Sequence, residues 1–166
     1  MSADFHIRPY HPSDVNTVIA LFQRSIHDLG AEYYSKAQLA AWAPEEVDRE
    51  AWQQKLSTAH TLIAETDRHL LGFISFYTEE NVSGYIDLLY CCPRHIRRGV
   101  AGTLYKQAEA ILCSKGANTV HSHVSLSAKA FFTQLGFVTE QLETVLRRDV
   151  ELARYAMRKA LPKSPV

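Results

Sequence analysis

The chain has 166 residues, 46% hydrophobic and 22% charged, the size and composition expected of one packed domain spanning 1–166. Its 18 Lys+Arg balance 18 Asp+Glu, so no overall field points to nucleic acid or an anionic membrane, and the composition excludes collagen, disorder and membrane spans. Three cysteines, two adjacent at Cys91 and Cys92 and none in a CxxC pair, argue against a disulfide framework or a metal site and for a reducing compartment. The N-terminus MSADFHIRPYHPSD lacks a cationic segment followed by an apolar run, so a cytoplasmic location is expected.

In chain order, residues 5–10 alternate around Ile7 as a strand, stopped by Pro9 and Pro12. Ser13 or Asp14 then caps a helix with Val15, Val18, Ile19, Phe22, Ile26 and Leu29 inward and Gly30 at its end. Ser35 caps a shorter helix carrying Leu39 and Trp42, closed by Pro44, and residues 45–58 form a third with Val47, Trp52 and Leu56 inward. From Thr61 the period becomes two: 61–66, 70–79 and 83–92 predict an antiparallel meander with turns at Asp67-Arg68 and Glu80-Asn81. Residues 99–115 return to helical spacing with Gly116 as stop, and 118–125 form a strand, so this strand, helix and strand imply a parallel crossover. A short helix over 127–135 ends at Gly136, and strands 137–146 and 150–159 join across Arg147-Arg148-Asp149. The whole predicts an α/β or α+β domain, a mixed sheet with helices on both faces.

Residues 85–105 are the most informative: a strand, a proline stop, a basic loop from Arg94 to Arg98, and glycines 99 and 102 opening a helix. A helix start leaves backbone N–H groups unpaired, its dipole favours negative charge, and glycine lets a phosphate approach, so the segment reads as an anion-binding turn. It is neither GxxxxGK[ST] nor GxGxxG after a first strand, which removes the P-loop and Rossmann classes. A short basic cluster without an aromatic platform also disfavours RNA binding.

The turn Ile96-Arg-Arg-Gly-Val-Ala101 resembles the acetyl-CoA signature (Gln/Arg)xxGx(Gly/Ala) of the GCN5-related N-acetyltransferases, and Ser127-Ala-Lys-Ala-Phe-Phe-Thr-Gln-Leu-Gly-Phe137 resembles that family's second motif. Within the family the chain is similar to small bacterial members with a Tyr-Ser…Trp-Ala-Pro element, here Tyr34-Ser35 to Trp42-Ala-Pro44. The resemblance implies a six- to seven-stranded, mainly antiparallel sheet whose strands four and five splay apart around the pantetheine arm of acetyl-CoA. By position, Leu89, Tyr90 and Cys91 would pair with that arm, Ser125, Phe131 and Phe132 would line it, and the amides of Arg97, Arg98, Gly99, Val100, Ala101, Gly102 and Thr103 would meet the pyrophosphate. Two departures matter: Ile96 replaces the usual Gln/Arg, and Phe132 replaces a tyrosine that protonates the departing thiolate, which a phenyl ring cannot do.

Direct transfer to an amine needs a proton acceptor and donors for the oxyanion. Asp87 is the first candidate base, expected on the strand face of Leu89 two residues away. His123, alternating with His121 and Ser125 on the next strand, is a second, because imidazole titrates near neutrality. Tyr90 is a candidate donor, and Tyr33, Tyr34, Trp42 and Tyr77 are candidate walls of the acceptor pocket. An acetyl-cysteine intermediate at Cys91 or Cys92 is disfavoured, since strand cysteines are usually packing residues. The expected partner is a small primary amine, with a homodimer suggested by the open edge of the last hairpin. The alternative is a non-catalytic acyl-CoA-binding or regulatory module of the same fold.

Overall fold

The computed structural model describes residues 5–80, 82–95 and 99–162. Its strands are β1 (His6–Pro9), β2 (His60–Glu65), β3 (Leu70–Thr78), β4 (Ser83–Cys91), β5 (Thr119–Ser125), β6 (Val138–Arg147) and β7 (Val150–Ala160). Its helices are α1 (Val15–Gly30), α2 (Lys36–Trp42), α3 (Arg49–Thr58), α4 (Val100–Ser114) and α5 (Lys129–Gln134). The strands form one seven-stranded sheet in the order β1-β2-β3-β4-β5-β7-β6. Every neighbouring pair is antiparallel except β4 and β5, as a helical crossover through α4 requires. The fold is therefore the mixed α/β arrangement that the periodicities predict.

Two apolar layers cover the sheet. On one face α4 and α5 bury Leu104, Leu112 and Phe132 against Leu71, Ile74, Ile86 and Val120. On the other, α1 to α3 bury Phe22, Ile26, Leu39 and Leu56 against Ile63, Phe73, Leu88 and Leu152. Each helix can turn only one stripe inward, and the sheet supplies an apolar surface on both sides.

Several local details differ from expectation. Asp14 stands at the start of α1 without capping it, because its carboxylate receives two bonds from Arg8, at 2.8 and 2.9 Å, and one from the His11 amide. Ser13 instead lies in a short 3-10 turn capped by His11. α3 starts four residues later than expected, where the Asp48 side chain accepts from the Ala51 amide. Leu29 is exposed rather than inward. Gly30 remains helical, and a Cβ there would sit 2.8 Å from Leu39 Cδ2, so it serves the close approach of α1 and α2.

Two irregularities in β4 place the site. The β3–β4 register pairs Phe76 with Ile86 and Ser75 with Leu88, leaving Asp87 as the extra residue of a bulge. A bulge turns consecutive residues to the same side and re-aims the strand. Beyond it, Leu89 and Cys91 pack with the α4 layer, and Leu88 and Tyr90 with the α1–α3 layer. Asp87 reaches Lys55 of α3, so it does not share the face of Leu89 as strict alternation predicts. The second irregularity is that β4 pairs with β5 only from Ser83–Ile86 to Thr119–Ser122, although both strands continue. Past Ile86 and Ser122 they part.

Candidate active site

The parting of β4 and β5 opens a cavity of about 350 Å³ that passes through the sheet. On the α4–α5 side it is bounded by Ala101, Phe131 and Phe132, and on the α1–α2 side by Tyr33 and Trp42. Leu89, Tyr90, Cys91 and Ser125 line the strands between. A second cavity of about 260 Å³ lies under α1 to α3. The two share Trp42, Asp87, Tyr90, His123 and Ser125, which stand where the cavities meet.

The start of α4 leaves room beside its first turn. Gly99 precedes the helix at φ 76°, and a Cβ at either Gly99 or Gly102 would meet no atom within 4 Å among the described residues. The first-turn amides of Val100, Ala101 and Gly102 are those a helix leaves without intrahelical acceptors. Thr103 is different: its amide and its hydroxyl both donate to the Gly99 carbonyl, at 3.0 and 2.8 Å, so its amide cannot serve a phosphate as expected. Arg97 and Arg98 lie outside the described residues.

At the junction, one Asp87 carboxylate oxygen is 3.2 Å from Lys55 Nζ. The Tyr90 ring packs edge-on against Phe22 at 5.0 Å. Burial, with the Asp87 charge nearby, raises the Tyr90 hydroxyl well above the ordinary phenol range, so at neutral pH it is a hydrogen-bond donor. Burial and Asp87 likewise push Tyr85 up to about 12. The Tyr85 hydroxyl lies 2.7 Å from His123 Nδ1, while His123 Nε2 faces Glu143 at 3.5 Å. Desolvation, then the Arg154 charge, lowers His123 below the usual imidazole range, which keeps it neutral further into acid. His121 turns to Glu79 and lines neither cavity. Burial pushes the Cys91 thiol up to about 12, far from the thiolate that a nucleophile needs.

The four expected acceptor walls separate into different roles. Trp42 lines both cavities and Tyr33 the rim of the larger one. Tyr34 contributes its ring to the second cavity, but its hydroxyl is committed, donating to the Ala153 carbonyl at 2.7 Å and accepting from the Leu126 amide at 2.9 Å. Tyr77 lines neither cavity; it is half-exposed with its ring 5.3 Å from Tyr85. Phe132 is buried in an edge-on contact with Phe137 at 5.1 Å. Ser125 and Ser127 oppose their hydroxyls at 3.0 Å.

Sequence reasoning misses Lys55, Tyr85, Arg147 and Arg154, all of which line the second cavity. Tyr85 and Asp87 are two apart on a strand, a spacing that pointed to a shared face. The three cations carry no local signal, because they come from α3, the end of β6 and β7. Among the described residues no group of three His, Cys, Asp or Glu side chains converges as metal ligands.

A family model described as an acetyltransferase (GNAT) domain matches residues 30–159. The chain is 32% identical over 155 residues to the uncharacterised N-acetyltransferase YafP of Escherichia coli strain K12, covering 93% of this chain and 95% of that one. It superposes with a TM-score of 0.89 and 33% identity on a GCN5-related N-acetyltransferase structure from Rhodopseudomonas palustris, named aminotransferase, class-II, covering 97% and 98% of the two chains. The fold is also that of PaiA N-acetyltransferase from Thermoplasma acidophilum in complex with coenzyme A, with a TM-score of 0.79, 23% identity, and 96% and 99% of the chains covered.

Proposed function

The chain belongs to the GNAT acetyltransferase family and is an N-acetyltransferase; from that premise we propose that it moves the acetyl group of acetyl-CoA directly onto a small primary amine. The observation carrying this reading is the opening between β4 and β5, which links the first turn of α4, through Ala101, to a cavity bearing Asp87, Tyr90 and His123. The open space over Gly99 and Gly102 suits a pyrophosphate. The apolar walls Leu89, Phe131 and Phe132 suit an extended thioester arm. Acetyl-CoA supplies an activated acyl carbon and a thiolate leaving group.

The chain's own residues then divide the work. Asp87 accepts a proton from the ammonium, directly or through a water, so that the amine nitrogen can form its bond to the acyl carbon. Backbone amides of the parted β4 stabilise the oxyanion. As the carbon–sulfur bond breaks, Tyr90 donates a hydrogen bond to the leaving sulfur in place of the hydroxyl that Phe132 lacks. With its acidity suppressed, Tyr90 holds the thiolate rather than giving up its own proton, and solvent completes the thiol. His123, neutral and within reach of both cavities, is the second proton acceptor. The protein is read as a single cytoplasmic domain. Among the described residues no helix is long and apolar enough to cross a membrane.

Calorimetric titration with acetyl-CoA, followed by thiol release with an amine panel, tests the reading. Saturable binding and amine-dependent thiol release are expected. Binding without release to any amine would instead favour a non-catalytic acyl-CoA-binding module, and no binding would overturn the proposal.

A further inference from the structure

The cavity under α1 to α3 has an uneven charge. Lys55, Arg147 and Arg154 line it against one carboxylate, Asp87. Lys55 is matched by Asp87 at 3.2 Å, and Arg154 Nε by Glu143 at 2.7 Å. Arg147 has no such match: its guanidinium bonds only the carbonyl of Leu146, at 3.1 Å, among the described residues. It stands at the end of β6, just before a turn in which Arg148 and Asp149 take positive φ. The turn therefore holds a cation at the rim of a cavity whose junction with the larger one carries Asp87 and His123.

Like charges gathered at one cavity repel, and the unmatched guanidinium presents a planar fork of donors that fits a carboxylate in two parallel bonds. Resting on the amine transfer proposed above, we propose that the acceptor is an amine that also carries a carboxylate. Its ammonium lies toward Asp87 and its carboxylate against Arg147, with the free donors of Arg154 beside it. The aromatic side chains Phe22, Trp52 and Tyr85 wall the space between these ends. Such a site selects against polyamines and other acceptors with several cations, because each additional ammonium faces Lys55, Arg147 and Arg154.

The test compares amino acids with their decarboxylated amines at matched length: L-phenylalanine with 2-phenylethylamine, L-leucine with isopentylamine, and 4-aminobutyrate with propylamine, with spermidine as the polycationic control. Acetylation rates are measured alongside calorimetric binding of the same compounds to the protein loaded with coenzyme A. At least one carboxylate-bearing member should exceed its partner about tenfold in kcat/KM, a preference that added salt weakens. Arg147→Gln should remove that preference and Arg147→Lys should keep part of it; neither alters the turn, whose strained positions are 148 and 149. Equal or better acetylation of the decarboxylated amines or spermidine overturns the anionic acceptor while leaving acetyl transfer intact. Arg147-dependent carboxylate binding without any turnover upholds recognition of an amine-carboxylate ligand at Arg147 and overturns the transfer reading. If neither binding nor turnover depends on the carboxylate and Arg147, the inference falls.

Discussion

The hydroxyl of Tyr34 donates to the carbonyl of Ala153 at 2.7 Å while accepting from the amide of Leu126 at 2.9 Å. One buried phenol thus ties the segment between α1 and α2 to β7 and to the end of β5, three parts of the chain that border the second cavity. Tyr34→Phe leaves the Leu126 donor without its acceptor and should cost about 1–3 kcal/mol. Urea unfolding reads this directly. A midpoint equal to that of the parent protein would show that the bonds are replaced by water.

Two glycines at the start of α4 are predicted to differ as test sites. A Cβ at Gly102 meets no atom within 4 Å among the described residues and no unusual φ, and glutamate suits a helix better than glycine by roughly 0.5–1 kcal/mol. Gly102→Glu should therefore keep its thermal stability while losing acetyl-CoA binding, because its carboxylate enters the space assigned to phosphate. Gly99→Glu must adopt φ 76°, so it combines the same block with backbone strain of about 1–2 kcal/mol. Unchanged acetyl-CoA affinity in folded Gly102→Glu would refute the phosphate site.

Asp87→Asn keeps the shape of the bulge and removes the proposed proton acceptor. Its kcat should fall about 10²-fold or more, with acetyl-CoA affinity nearly constant. Single-turnover rates separate the chemical step from binding. A rate within a few-fold of the parent would pass the role to His123.

The imidazole of His123 should titrate below about 6.5, the ordinary histidine value, because burial and then Arg154 both disfavour its charged form. Arg154→Met removes one of these causes and releases Glu143, so the midpoint should rise. Proton NMR of the ring follows both. A midpoint that stays put or falls would contradict this electrostatic account.

Arg8 binds the carboxylates of Asp14 and Glu65 and holds both below their usual range, chiefly through its hydrogen bonds. Carboxylates depressed in the folded state stabilise it fully above their unfolded values near 4 and lose that contribution as pH falls through the folded ones. Arg8→Met should therefore lower stability at neutral pH and flatten its decline below about pH 4. Parallel unfolding curves from pH 3 to 7 check this, and an unchanged slope would argue against it.

Much of the fold is legible in the chain because its causes are local. The helical stripe from Val15 to Ile26, the two-residue period from Thr61 and the Asn-free turn at 147–149 each follow from neighbouring residues, and the strands and helices form where these signals stand. The glycines opening α4 are legible too, since a helix start carries its own unpaired amides. Ser35 caps α2 as expected, but the starts of α1 and α3 were less legible: Asp14 has the right chemistry to cap α1, but Arg8 takes its carboxylate.

What the sequence determined by itself was the order of elements, the mixed sheet and the glycine-flanked start of α4. The tertiary structure decided which way Asp87 faces, because the bulge at that residue depends on the register that β3 imposes on β4. It also decided that Tyr34 spends its hydroxyl on two distant backbone groups and that Lys55, Arg147 and Arg154 converge on one cavity. Periodicity is a property of adjacent residues, whereas register and convergence arise between segments that meet only when both apolar layers close on the sheet.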